Sequence, residues 1–166
     1  MYSVGDHIVY PMHGAGTIID IETKTMFGEE QEFYKLKMPI GSVVIMVPVE
    51  NADSIGIRPV IKPEEGQRVI EVLKEETTEM PENWNKRYRE NLDYIRTGDI
   101  YEIAHVVKNL QILDEKKGLS TSEKKMLDTS KKIIVSELIL IGLMNKEEAE
   151  SMIDEAITLE EGEGGR

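Results

Sequence analysis

From Val4 to Ile61 the apolar residues fall in short β-prone runs separated by turn residues. Ile8-Val-Tyr10 is cut by Pro11 and followed by Gly14-Ala-Gly16; Thr17-Ile-Ile-Asp-Ile-Glu22 comes next, and Met26-Phe-Gly28-Glu reads as a hairpin turn. Glu32-Phe-Tyr-Lys-Leu-Lys-Met38 alternates with period two, the mark of a half-buried strand. Pro39-Ile-Gly41 turns the chain into Ser42–Val47, where Val43, Val44, Ile45 and Val47 make an almost unbroken apolar run. About five strands without a helical period predict a small, strongly bent barrel. The Ser42–Val47 run has two readings, a strand buried on both faces or an edge kept apolar for a partner strand.

After Ile61 the period changes. Ile61-Lys-Pro63-Glu-Glu-Gly66 is a boundary, since proline and acids suit a helix start. Val69, Ile70, Val72 and Leu73 give a short amphipathic helix of about three turns. A second helix is predicted from about Pro81 to Arg96, with Trp84, Tyr88, Asn91, Leu92 and Ile95 inside one sector of about 100°. A third runs from a cap at Asp99 through Ile103, Val106, Val107, Leu110 and Leu113 to Gly118. Ser120-Thr-Ser-Glu123 is a capping box opening a fourth, whose apolar side holds Met126, Leu127, Ile133, Ile134 and Leu138. Lys124, Lys125, Lys131 and Lys132 lie on its other side, as a solvated face or as phosphate contacts. Asn145-Lys-Glu-Glu148 caps a fifth, and the acidic, glycine-rich residues 161–166 are expected to be a disordered tail. The domains expected are thus 1–61, a barrel, and 62–160, an all-α bundle of about five helices.

Charge sharpens this picture at one place. The chain of 166 residues carries a net charge of −12, which argues against nonspecific polyanion binding. Yet eleven of the twenty Lys and Arg, set against ten acids, lie in residues 80–140, the segment that holds the single tryptophan. Around it runs Pro81-Glu-Asn-Trp-Asn-Lys-Arg-Tyr-Arg, so Lys86, Arg87 and Arg89 follow Trp84 within five residues. Trp84 has two readings: the start of the buried stripe, or an aromatic wedge at a helix start with cations for neighbouring phosphates.

Other chemistry is sparse. There is no cysteine, which removes disulfides, thiolate metal sites and thiol catalysis. Gly14-Ala-Gly16 precedes a strand rather than a helix, so it reads as a tight turn and not a phosphate loop. His7 and His13 flank that turn without a third ligand at metal spacing. No spacing suggests a nucleophile–base pair, so the expectation is a protein that is not an enzyme and needs no cofactor. The N-terminus lacks a signal-peptide pattern and no apolar run approaches a membrane span, which points to the cytoplasm and no membrane partner.

Val4-Gly-Asp-His-Ile-Val-Tyr-Pro-Met-His-Gly-Ala-Gly-Thr-Ile18, followed by Val47-Pro-Val-Glu-Asn51 and Ile55-Gly-Ile-Arg-Pro-Val60, resembles the CarD/CdnL family of bacterial transcription regulators. The resemblance covers essentially the whole chain. It implies an α+β, two-domain protein: a small Tudor-like or SH3-like bent β-barrel, then the helical bundle. It further implies that the barrel binds the lobe of the RNA polymerase β subunit, as a similar module does in transcription-repair coupling factor. The contact residues carried over are Lys24, Met26, Val43, Val44, Ile45, Met46, Val47 and Pro48, with Lys24 and Met46 standing where the family often has arginine. The family's Asn-Trp motif corresponds to Asn83-Trp84, and implies that Trp84, with Lys86, Arg87, Arg89, Lys124 and Lys125, meets promoter DNA at the upstream edge of the melted bubble. The expected function is non-enzymatic regulation that stabilises the open complex. Two alternatives stay beside it: an interaction adaptor without DNA contact, and a ribosome- or RNA-binding module. A monomer is expected, with self-pairing through the contact strand as a second possibility.

Overall fold

The structure, a computed structural model, describes residues 1–142 and 144–164, with side chains through Ile157. The strands are β1 (His7–Tyr10), β2 (Gly14–Met26), β3 (Glu29–Lys37), β4 (Val44–Pro48) and β5 (Arg58–Pro59). They form one antiparallel sheet in the order β4-β3-β2-β1-β5. A one-turn helix α1 (Ala52–Ile55) joins β4 to β5. The sheet curls over Ile8, Ile18, Tyr34, Leu36, Val47, Ala52 and Ile57. β4 and β5 are its two edges, so the curled sheet is not closed into a ring by strand pairing. A register shift between Ile18 and Asp20 bends β2, as an extra residue in one strand does.

The helical part comprises a 3-10 turn (Pro63–Glu65), α2 (Gly66–Lys74), α3 (Trp84–Arg96), α4 (Ile100–Lys116), α5 (Thr121–Leu140) and α6 (Lys146–Gly164). Their starts follow the capping residues in the sequence. Asp99 accepts from Tyr101 N at 2.8 Å and Glu102 N at 3.4 Å. Ser120 accepts from Glu123 N at 3.2 Å. Asn145 and Glu148 exchange both bonds of a capping box, at 2.8 and 3.2 Å. Helix α4 is the centre of the bundle, buried from Ile100 to Ile112 on most of its circumference.

Two boundaries differ from expectation. Helix α3 begins at Trp84 rather than Pro81, because Asn83 takes the cap and accepts Lys86 N at 3.1 Å. Helix α6 continues to Gly164, so the break expected at 161 is absent. A backbone that is already helical gains one further hydrogen bond per residue, which offsets the weak propensity of Gly162. Residues 165 and 166 lie outside the described residues.

The barrel sits directly on α5. Ser136 in α5 accepts the buried backbone N–H of Ala15 at 2.9 Å while its hydroxyl donates to Ile133 O at 2.6 Å. This contact explains Gly14-Ala-Gly16. A Cβ on Gly14 would lie 2.7 Å from Ser136 Oγ, and one on Gly16 would meet the Leu36 side chain at 2.7 Å. The glycines let α5 press close to β2 at Gly14 and let the Leu36 side chain of the neighbouring β3 lean over it at Gly16. Arg58 of β5 reaches across as well: its guanidinium donates to both carboxylate oxygens of Glu137 at 2.8 Å and to Gly98 O at 3.0 and 2.7 Å. Glu137 also accepts Ile61 N at 2.8 Å.

Gly14→Ala tests this seam. At φ 103° an alanine is strained, and its methyl displaces a serine that already holds two hydrogen bonds. The expected cost is about 2 kcal/mol, a fall of about 4–8 °C in melting temperature by calorimetry.

Candidate nucleic-acid interface and free sheet edge

The approach to Trp84 is pinned at each step. Asn109 of α4 accepts Thr78 N at 3.0 Å and donates to Thr78 Oγ1 at 2.8 Å. Asn91 of α3 donates to the Met80 sulfur at 3.6 Å. Arg87 donates to the carbonyls of Pro81 at 3.3 Å and Glu82 at 3.1 Å. Lys108, buried on α4, donates to Leu73 O at 2.9 Å and so places a cation at the C-terminus of α2. Few freedoms remain to the segment that presents the indole.

Trp84 itself is 50% exposed. Asn91 and Ile95 of the predicted stripe are buried and Tyr88 and Leu92 half-buried. Trp84 stands one turn beyond them, outside the hydrophobic clusters. The core-tryptophan reading therefore fails, since the bundle closes over the stripe only from Tyr88 onward. Lys86 and Arg89 are exposed, as are Lys124 and Lys125 at the start of α5, and no ion pair engages any of the four among the described residues. Lys131 and Lys132, on the same stripe, pair with Asp154 and Asp128.

Arg87 stands elsewhere than on the open face expected of a DNA contact. Its guanidinium forms a fork with Glu123, Nε to Oε2 at 2.7 Å and an Nη to Oε1 at 2.9 Å, with only 13% of its side chain exposed. The physical reason is Glu123, buried on the inner side of α5, whose charge needs a cation. The hydrogen-bonded guanidinium holds the Glu123 carboxyl below its ordinary pKa; burial opposes this, and Ser120's hydroxyl and backbone N–H add to it. Glu123 in turn raises the pKa of Arg87, so both stay charged. The pair joins the first turns of α3 and α5, so two helix N-termini, with their partial positive charge, flank the ground below Trp84.

On the barrel, β4 pairs with β3 alone and its other side is open. Val47 is buried, Ile45, Met46 and Pro48 are half-buried, and Val43 and Val44 are exposed at 49% and 43%. The doubly buried strand is thus ruled out, and an apolar edge remains. Lys24 and Met26 are exposed too but lie elsewhere. Met26 pairs with Glu29 at one end of β3 and Val44 with Lys37 at the other, about 27 Å apart along the strand. Met46, opposite Lys35, is nearer to Lys24, opposite Gln31, and shares its face of the sheet. Between Met26 and Gly28 stands Phe27, 99% exposed at the turn of the hairpin.

His7 Nδ1 is bonded to Thr17 Oγ1 at 2.9 Å and the His13 ring packs on Tyr10 at 4.4 Å. No group of three His, Asp or Glu side chains is placed to share a metal ion among the described residues.

Comparison with known proteins finds two family matches along the chain. Residues 2–61 match the CarD-like/TRCF RID domain, and residues 68–154 match the C-terminal domain of CarD. The candidate transcription factor YdeB of Bacillus subtilis (strain 168) is 38% identical over 148 residues, spanning 89% of this chain and 97% of that protein.

Glu123→Gln tests the brace under Trp84. The folded-state pKa of Glu123 is depressed, so its contribution is complete above the ordinary value of 4.5 and is lost as pH falls through the folded value. At pH 7 the substitution is expected to cost about 2 kcal/mol. The gap between the two proteins in denaturant titrations should close below pH 4.5.

Proposed function

Because the chain belongs to the CarD family of transcription factors, we propose that it tethers itself to the RNA polymerase β subunit and stabilises the promoter open complex. The barrel takes the polymerase: a strand of the β subunit adds to the open side of β4, with Val43 and Val44 as its apolar contacts. The helical bundle takes the DNA: Trp84 stacks at the upstream edge of the bubble, where bases are already unstacked, and Lys86, Arg89, Lys124 and Lys125 face phosphates. Arg87 holds the platform rather than the DNA. No step in this action makes or breaks a covalent bond.

The observation that carries the reading is the half-exposed tryptophan on a helix start whose supports are all braced. An indole left outside both cores contributes little to folding, whereas stacking on a base is worth about 1–3 kcal/mol. That is about a 5- to 150-fold change in the lifetime of an open complex. A few unpaired cations give weak, sequence-independent contact. The net charge of −12 favours a second reading, an adaptor that binds polymerase and never touches DNA.

Trp84→Ala separates the two. Polymerase binding is expected to stay at the wild-type level while open-complex lifetime on a promoter template falls at least five-fold. An unchanged lifetime leaves only the adaptor. Val44→Glu puts a charge into the strand-pairing surface and is expected to abolish capture of the β subunit from purified polymerase.

A further inference from the structure

The β2–β3 hairpin runs well past the end of β4. Its residues from Thr23 to Glu32 are all exposed, and β4 covers β3 only from Phe33 to Lys37. Met26 pairs with Glu29, so Phe27 and Gly28 form a two-residue turn, with φ of 53° and 79°. This is the type I′ geometry that matches the twist of a hairpin and favours Asn-Gly. Phenylalanine is a poor choice for its first position, because a bulky side chain at positive φ is strained. Here it is also 99% exposed, so no packing within the chain offsets the strain. A strained aromatic held clear of both cores at the end of a projecting hairpin has the form of an anchor for another surface.

The charge around it says which kind of surface. Glu29, Glu30 and Glu32 stand beside it against the single Lys24. Such an arm is repelled by phosphates and attracted to a basic rim on a protein. The side of β3 vacated beyond Pro48 continues the open side of β4, so a protein seated on β4 meets the hairpin flank next.

We propose that Phe27 is a second anchor for the polymerase, inserting into an apolar pocket with a basic rim on the protein that pairs with β4. The proposal rests on the polymerase-tether reading above. Its distance from the strand contact makes the interface two-point, which fixes orientation as well as affinity. The strand edge alone leaves the barrel free to rock about its axis; a knob about 17 Å beyond Pro48 removes that freedom.

The test measures affinity of the full chain for purified core RNA polymerase by biolayer interferometry, with melting temperatures recorded in parallel. Phe27→Asn supplies the residue the turn prefers, so the protein is expected to melt at or above the wild-type temperature. Its affinity is expected to fall about 10- to 100-fold, the range for losing a buried aromatic. Phe27→Tyr is expected to keep affinity within about threefold of wild type. If Phe27→Asn binds like wild type while Val44→Glu does not bind, the anchor is wrong and the tether stands. If wild type itself does not bind, the tether reading fails and the anchor fails with it. A loss in Phe27→Asn that tracks a lower melting temperature, or that Phe27→Tyr shares in full, also overturns the anchor.

Discussion

Two carboxylates buried on α5 set the arrangement of the rest. Glu123 and Glu137 are each 1% exposed, and an ionised carboxylate removed from water is tolerable only beside a cation with its hydrogen bonds filled. Each finds an arginine fork, and the two arginines come from different parts of the chain: Arg87 from α3 and Arg58 from the barrel. The glutamates lie fourteen residues apart, about 21 Å along the helix. Helix α5 thus acts as a beam that takes the tryptophan platform at one end and the barrel at the other. Such pairs add little net stability over an apolar substitute. What they add is direction, because a bidentate fork fixes an angle that Leu against Ile does not.

That division explains what the sequence could and could not disclose. Periodicity, caps and turn residues are local, and they placed the five bundle helices, the strands and the apolar run ending at Val47. They could not tell that Glu123, recognised for its place in a capping box, reaches a second helix 36 residues away in sequence. Arg87 accordingly looks like its cationic neighbours in sequence, since nothing local distinguishes a guanidinium that meets solvent from one that meets a buried acid. Trp84 was ambiguous for the same reason: a helical wheel gives azimuth, not how far along the axis the covering layer extends. In sequence the glycines at 14 and 16 look like a turn, whereas their constraint is the closeness of Ser136 and Leu36. Phe27 was legible in principle, as a Phe-Gly pair where a type I′ turn favours Asn-Gly.

On the proposed reading, an acidic protein has to meet DNA. Four cations without an ion pair among the described residues, Lys86, Arg89, Lys124 and Lys125, set against a total charge of −12, are a poor means of recruiting a polyanion from solution, where nonspecific binding is typically about 10⁻⁴ to 10⁻⁶ M even for basic proteins. Tethering changes the arithmetic, because a second contact within one complex works at an effective concentration on the order of millimolar. A flexible tether would spread that concentration over many orientations. The barrel and bundle here are joined by a seam of backbone, serine and ion-pair contacts with no linker to speak of, so the effective concentration is focused where the beam points. On the proposed reading, a weak stacking contact suffices because rigidity, not affinity for DNA, brings the indole to the fork. On that same reading the acidic remainder has a use of its own: it would keep the unbound protein off the rest of the chromosome, so that Trp84 would meet DNA only where polymerase holds it open.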